Sequence, residues 1–240
     1  MAVIEWKKDG SVAVIKMCNG ANRQNLEFTA QMHQCFDEIE DDKDIYAIVL
    51  TSTDAKNFSQ GIDVEWMMGK MDDKDFDSIK LFMHSTNKIF KRILFMPLPV
   101  IAAINGHAFG NGAMLACTCD FRFMTKNKGF FCFPEVDIDI PFLPGMIEFV
   151  RKAIPEYQFN EMILSGKRVV AKELEKTHVI VKACENKERL FKDALEFAKT
   201  FTKKRPIFCE LKKRMHKNII KVMETQDVKH IDSLNLFIQD

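Results

Sequence analysis

The sequence predicts an α/β protein, and three observations carry that prediction. Val12–Met17 and Ile45–Thr51 are β-branched apolar runs of strand length, and apolar side chains between them recur at helical spacing. The short apolar run Pro99–Ile104 ends in an Asn105-Gly106 turn, and a second glycine pair, Gly110 and Gly112, opens a helix start. Strand, turn and helix alternate, as they do in a sheet covered by helices.

The opening unit is strand, helix, strand. Phe28, Met32, Cys35, Phe36 and Ile39 line one face of the helix, Asn25 is its N-cap, and the acidic stretch Glu38–Asp42 falls where it gives way to a loop. A mixed loop, Thr53–Gly61, follows. Met71–Asp77 is polar and acidic and reads as a solvated loop, with a mobile lid as the sharper alternative. Ile79–Phe95 is amphipathic and stops before Pro97. Asp120–Met124 and Phe130–Phe133 read as two more strands, Pro134–Gly145 as a proline-bounded loop holding Glu135, Asp137 and Asp139, and Val179–Ala183 as the last strand. Two helical stripes end the chain, Phe191, Ala194, Leu195, Ala198 and Phe201, then Phe208, Leu211, Met215, Ile219 and Val222, parted at Arg205-Pro206. The expected organisation is a core over 1–183 and a helical region over 184–240.

Composition narrows the function classes. The chain has 240 residues, 47% hydrophobic and 29% charged, which allows one large globular domain and excludes a mainly disordered protein. Lys and Arg number 35 against 34 Asp and Glu, a net charge of +1, so no global field favours nucleic acid or an anionic membrane. The most apolar run, Phe95–Ile104, is too short to span a bilayer and holds Pro97 and Pro99. No secretory signature opens the chain, and the terminal LFIQD is not a peroxisomal address, so the cytoplasm is the expected compartment, with peroxisome and mitochondrion left open. The seven cysteines read as reduced thiols, and Cys117 and Cys119 have the wrong spacing for a zinc knuckle, so no metal site is expected.

Three features can carry chemistry: the turn Gly110-Asn111-Gly112 leading into a helix, the turn Gln60-Gly61-Ile62, and the carboxylate Glu135 in an apolar loop. Glycine turns can expose backbone N–H groups, and two such groups converging at a helix start make an oxyanion hole. Taken alone, the same turns read first as strand-to-helix punctuation, and the segment lacks a full dinucleotide-binding fingerprint.

AKNFSQGIDVEWM (residues 55–67), PLPVIAAINGHAFGNGAMLACTCDFRFM (97–124) and FCFPEVDIDIPF (131–142) together resemble the enoyl-CoA hydratase/isomerase, or crotonase, family, in both order and spacing. The resemblance implies a spiral of ββα units with a C-terminal helical trimerisation region, a coenzyme A thioester as substrate, no separate cofactor, and a homotrimer or hexamer. It places the two oxyanion amides at Ile62 and Asn111, Asn111 standing where glycine is commoner. An asparagine tolerates a left-handed backbone there better than most residues.

Family hydratases use two glutamates, and the matching positions are Met114 and Glu135. Met114 cannot accept a proton, so the resemblance runs nearest to the enoyl-CoA delta isomerase branch, with Glu135 as a lone base made stronger by Phe131, Phe133, Val136 and Phe142. Gln60, Gly61, Asp63, Gly110, Trp66 and Phe133 are the expected substrate-binding residues, and Met67 and Met68 join Trp66 as candidates for an acyl channel. Asp137 and Asp139 are candidate accessory acids, although Asp137 taken without the resemblance reads first as a turn cap or a lysine's partner. His107 reads as structural, and Lys88, Lys91 and Arg92 as a solvated face that could reach coenzyme A phosphates. A hydratase, a thioester hydrolase and a non-catalytic acyl-CoA binder stay open as alternatives.

Overall fold

The computed structural model describes residues 2–236. Its strands are β1 (Ile4–Asp9), β2 (Val12–Met17), β3 (Arg23–Gln24), β4 (Ala47–Ser52), β5 (Asn57–Ser59), β6 (Gly61–Ile62), β7 (Val100–Ile104), β8 (His107–Phe109), β9 (Phe121–Thr125), β10 (Phe131–Cys132) and β11 (Lys182–Cys184). Its helices are α1 (Leu26–Asp41), α2 (Val64–Asp72), α3 (Phe76–Phe95), α4 (Asn111–Thr118), α5 (Pro144–Ala153), α6 (Glu156–Ser165), α7 (Ala171–Lys176), α8 (Lys187–Lys199), α9 (Arg205–Val222) and α10 (Val228–Asp232). A 3-10 turn occupies Pro134–Ile138, and a π turn, Met223–Asp227, joins α9 to α10.

Six strands form the main sheet in the order β1-β2-β4-β7-β9-β11, parallel except for β1, which pairs antiparallel with β2. Alternation along the strands serves two cores. Val12, Val14, Ala47, Val49, Ile101 and Ala103 face Leu190, Ala194 and Ala198 of α8, while Ala13, Ile15, Ile48, Leu50, Ala102 and Ile104 face the main core. Two smaller parallel sheets, β10-β8-β5 and β3-β6, lie beside it. A main-sheet strand, a small-sheet strand and a helix recur as β2-β3-α1, β4-β5-β6-α2, β7-β8-α4 and β9-β10-α5. This is the expected spiral of ββα units. Each turn carries the chain from the main sheet to a small sheet, and the functional loops lie at those crossings.

Local chemistry accounts for most boundaries. Asn25 caps α1 by accepting from the Phe28 N–H at 3.1 Å, and the buried face of α1 is the stripe read from sequence. Met71–Asp77 is not a loop: Asp75 caps α3 through the Ser78 N–H at 3.2 Å and pairs with Lys70 at 2.7 Å, so the acidic stretch is helix-capping chemistry. Strand β1 escapes a period-two reading because it is an edge strand in which Glu5, Lys7, Lys8 and Asp9 are four of six residues. The last strand lies at Lys182–Cys184 rather than 179–183, because the Val179 carbonyl accepts from Arg122 Nε at 2.8 Å instead of entering a ladder.

The helical region from residue 184 is tied into the spiral, and residues 237–240 of it lie outside the described residues. Helix α8 closes the second face of the main sheet. Helix α9 is anchored by the buried Lys212, which pairs with Asp120 at 2.7 Å and donates to the Leu98 carbonyl at 3.2 Å. Asp227, wholly buried in the π turn, accepts from the Gly145 N–H at 2.7 Å and from Asn87 Nδ2 at 3.2 Å. The π turn is thereby strapped across α3 and α5. Of the α9 stripe read from sequence, Ile219 is buried, whereas Leu211 and Met215 are exposed together with Ile207.

Candidate active site

The site forms where two small-sheet crossings meet. Gly61 in β6 has φ of +83°, and a Cβ there would stand 2.8 Å from the Phe109 carbonyl oxygen and 3.1 Å from the Asn111 nitrogen. Only glycine lets the two turns come this close. Strand β6 pairs parallel with β3, Gln24 opposite Ile62, and the Asp63 N–H donates to the Gln24 carbonyl at 2.9 Å. Strand alternation then turns the Ile62 N–H the other way, toward the Gly110-Asn111 turn.

That turn opens α4. Gly110 is the N-cap residue with φ of +51° and ψ of −123°, and its carbonyl accepts the first helical bond, from the Met114 N–H at 2.9 Å. Asn111 is the first helical residue, so its N–H has no partner within the helix. The positive φ falls on Gly110, so the tolerance of asparagine for a left-handed backbone is not called on, and position 111 can carry a side chain. Ile62 and Asn111 thus both line one cavity, at the positive end of a buried eight-residue helix.

Glu135 enters from the 3-10 turn. Its Oε1 lies 2.9 Å from where a Cβ on Gly110 would sit, so the second glycine makes room for the carboxylate. Its Oε2 is buried without a hydrogen-bond partner. Burial pushes the carboxyl from its ordinary 4.5 up to about 7, against a smaller lowering by its own backbone N–H. The cavity holds about 180 Å³ and is otherwise apolar, its walls including Met67, Met83, Met114, Phe142, Met146 and Leu236. Among the described residues lining it, Glu135 is the only ionisable one. A lone carboxyl near neutrality, an apolar enclosure and a helix N-terminus at its edge can stabilise an enolate and move a proton on a carbonyl compound.

The enoyl-CoA hydratase/isomerase family profile matches residues 7–239. The chain belongs to that family. A short-chain-enoyl-CoA hydratase of Clostridium acetobutylicum is 29% identical over 87% of this chain and 78% of its own length. The mitochondrial Delta(3,5)-Delta(2,4)-dienoyl-CoA isomerase of Mus musculus is 27% identical over 78% of this chain, which spans 59% of that relative. An enoyl-CoA delta isomerase 3 of Arabidopsis thaliana is 35% identical over 53% of each chain. Among solved structures, a Mycobacterium tuberculosis protein described as an enoyl-CoA isomerase in one structure and as a probable enoyl-CoA hydratase in another superposes at 20% identity, with a TM-score of 0.85 over 97% of this chain and 98% of its own in the first. That likeness shows the crotonase fold.

Within this crotonase the structure sorts the residues read from sequence. Gln60, Gly61, Ile62, Gly110, Asn111, Met114 and Glu135 line one cavity, with Met67 and Met68 beside them. Asp63 does not: its carboxylate caps α2, accepting from the Trp66 N–H at 3.3 Å and Asn25 Nδ2 at 3.4 Å. Trp66 packs edge-on against Phe82, ring centroids 5.2 Å apart. Phe133 is fully buried between Phe131 and Phe142, behind the wall rather than in it. Asp137 and Asp139, the candidate accessory acids, are both exposed and do not line the cavity. Asp137 lies against Gly166 after α6, and Asp139 ends the 3-10 turn with φ of +55°. His107 is structural, its Nδ1 accepting from the Phe130 N–H at 3.2 Å. Lys91 is paired with Glu224, and Arg92 with Asp37 and Glu40.

Sequence reasoning missed Gln24, Met83, Met146 and Leu236. The last three reach the cavity only through packing of α3, α5 and the C-terminal strap, which no local pattern announces. Among the described residues no group of three or more His, Cys, Asp and Glu is placed to hold a metal ion, and no helix is long and apolar enough to cross a membrane.

Proposed function

We propose that this chain is an enoyl-CoA isomerase that moves a 3-enoyl-CoA double bond to the trans-2 position. The observation that carries the reading is Glu135 as the only ionisable side chain among the described cavity residues, with Met114 at the position of the second family glutamate. The coenzyme A thioester is the substrate, and the reaction calls for no further cofactor.

In the proposed cycle the Glu135 carboxylate takes a C2 proton, and the electron pair flows through the conjugated system onto the thioester oxygen. The N–H groups of Ile62 and Asn111 hold that oxygen, aided by the α4 N-terminus. Each such donor is worth roughly 100- to 1,000-fold in rate. The carboxylic acid then returns the proton at C4, giving the 2-enoyl product with the base regenerated. The apolar walls both raise the carboxyl's basicity and keep water from the dienolate.

The test is product analysis on 3-hexenoyl-CoA, comparing wild type with Glu135→Gln. Formation of 2-hexenoyl-CoA by the wild type and its loss in the variant supports the reading. A 3-hydroxyacyl-CoA as first product, as the likeness to a short-chain hydratase would have it, or free coenzyme A, overturns it. The proposal extends to a homo-oligomer, a trimer or a pair of trimers. Ile207, Leu211 and Met215 support this, being 51%, 48% and 68% exposed at four-residue spacing along one face of α9. Sedimentation as a monomer would refute it.

A further inference from the structure

We propose that Gln24 is a positioning residue that ties the two amides of the oxyanion hole together, with the Asn111 side chain as the other half of the tie. The proposal deepens the acyl-CoA reading above and rests on it.

Two donors can hold one oxygen only if their separation is fixed to a few tenths of an ångström. Here they come from crossings far apart in sequence, and Gln24 reaches both. Its backbone is the ladder partner of Ile62, and its carbonyl takes the Asp63 N–H at 2.9 Å. Its side chain accepts from Asn111 Nδ2 at 3.0 Å through Oε1. The circuit continues through Nε2, which donates to Ser59 Oγ at 3.4 Å. That hydroxyl accepts from the Gly61 N–H at 3.2 Å and donates to the Asn22 carbonyl at 2.7 Å.

Gln24, Asn111 and Ser59 are buried, at 2%, 5% and 0% exposure, so water does not compete for these bonds. Ser59 also takes up the Gly61 N–H, which leaves Ile62 as the amide that the first turn offers to a ligand. The asparagine where the family commonly has glycine thus acquires a role. A glycine at 111 has no side chain with which to join this circuit. With Gly110 taking the positive φ, position 111 is free to carry the link.

The test uses hexanoyl-CoA labelled with carbon-13 at the thioester carbonyl. It cannot isomerise, so its bound infrared stretch reads hydrogen bonding to the oxygen independently of turnover. Wild type, Gln24→Leu, Asn111→Gly and the double variant are compared, with kcat and KM on 3-hexenoyl-CoA and a thermal melt for each. The wild type is expected to lower the stretch on binding. Gln24→Leu should lose much of that shift, with kcat down about 10- to 100-fold and KM nearly unchanged. In the Asn111→Gly background the Gln24 substitution should cost clearly less than it does alone, because the Asn111 link is already gone and only the Gln24–Ser59 contact is left to lose.

A carbonyl shift and kcat in Gln24→Leu equal to wild type would overturn the tie, and so would fully additive effects in the double variant. If Gln24→Leu does not fold, Asn111→Gly alone decides, since an unchanged shift there also overturns it. A wild type that fails to bind hexanoyl-CoA, or binds it with an unshifted carbonyl, sinks the acyl-CoA reading and this proposal with it.

Discussion

Replacing Glu135 by glutamine should make the folded chain more stable as well as inactive, and the gain should depend on pH in a defined direction. The carboxyl stands at about 7 in the fold against an ordinary 4.5, because burial disfavours its charged form. A group raised in this way is held preferentially as the acid by the folded state. At about pH 4 both states are protonated and the fold bears no penalty. As pH climbs between the two values the unfolded chain releases the proton first, and above about 7 the fold carries the full cost of the buried charge, roughly 3 kcal/mol. Glutamine keeps the shape and has no charge to bury. Urea unfolding of wild type and Glu135→Gln should therefore nearly coincide at about pH 4 and differ by about 2–3 kcal/mol in the variant's favour at about pH 8. For a chain of this length that is roughly 5–10 °C in Tm. The same titration should appear in catalysis as a kcat/KM that rises with pH through about 7 and then levels, since only the carboxylate takes a proton. A difference in stability that is the same at both pH values, or a variant less stable at the higher one, would refute the buried-base argument.

Three further substitutions probe the frame around that base. Gly110→Ala places a Cβ 2.9 Å from Glu135 Oε1 on a backbone with φ of +51°, so it should lower kcat at least about 100-fold and stability by about 1–3 kcal/mol, read by steady-state kinetics and urea unfolding. Asp227→Ala leaves the Gly145 N–H and Asn87 Nδ2 without their buried acceptor, which should cost about 1–3 kcal/mol and speed proteolytic cleavage after α9. Leu236→Ala removes part of the cavity wall and should shift the preferred acyl chain of 3-enoyl-CoA substrates to greater length, read as kcat/KM across a chain-length series.

What the sequence made legible is local, and what it hid is packing at a distance. The helix Leu26–Asp41 could be read because its cap, its stripe and its end lie within one stretch of chain. The two glycine turns and Glu135 were legible through motif order, and they do meet at one cavity. Asp63 and Trp66 sit in the same motif but serve α2, one as its cap and the other packed on Phe82. A carboxylate at a helix start and an aromatic on an inward face look alike in sequence whether they touch ligand or protein. Asp137 and Asp139 were drawn toward the site by their nearness to Glu135, yet a 3-10 turn rotates successive side chains around its axis and leaves both in solvent. Gln24 and Leu236 gave no signal, since each reaches the site by a contact between segments far apart in the chain.

Met114 sharpens the chemical argument, and its replacement by glutamate is the substitution on which that argument most depends. Met114 is 2% exposed and lines the same apolar cavity as Glu135. A second carboxyl there would be desolvated for the same reason as the first, and two close carboxylates cannot both ionise cheaply. The pair would then hold one shared proton over a range of pH, with macroscopic values belonging to both groups. The rise of isomerase kcat/KM with pH should accordingly move above 7 in Met114→Glu, and 3-hydroxyacyl-CoA should become detectable if one carboxyl of the pair can activate water while the other donates. A profile unmoved from wild type would mean that position 114 does not share Glu135's environment, and the lone-base account of the cavity would fall with it.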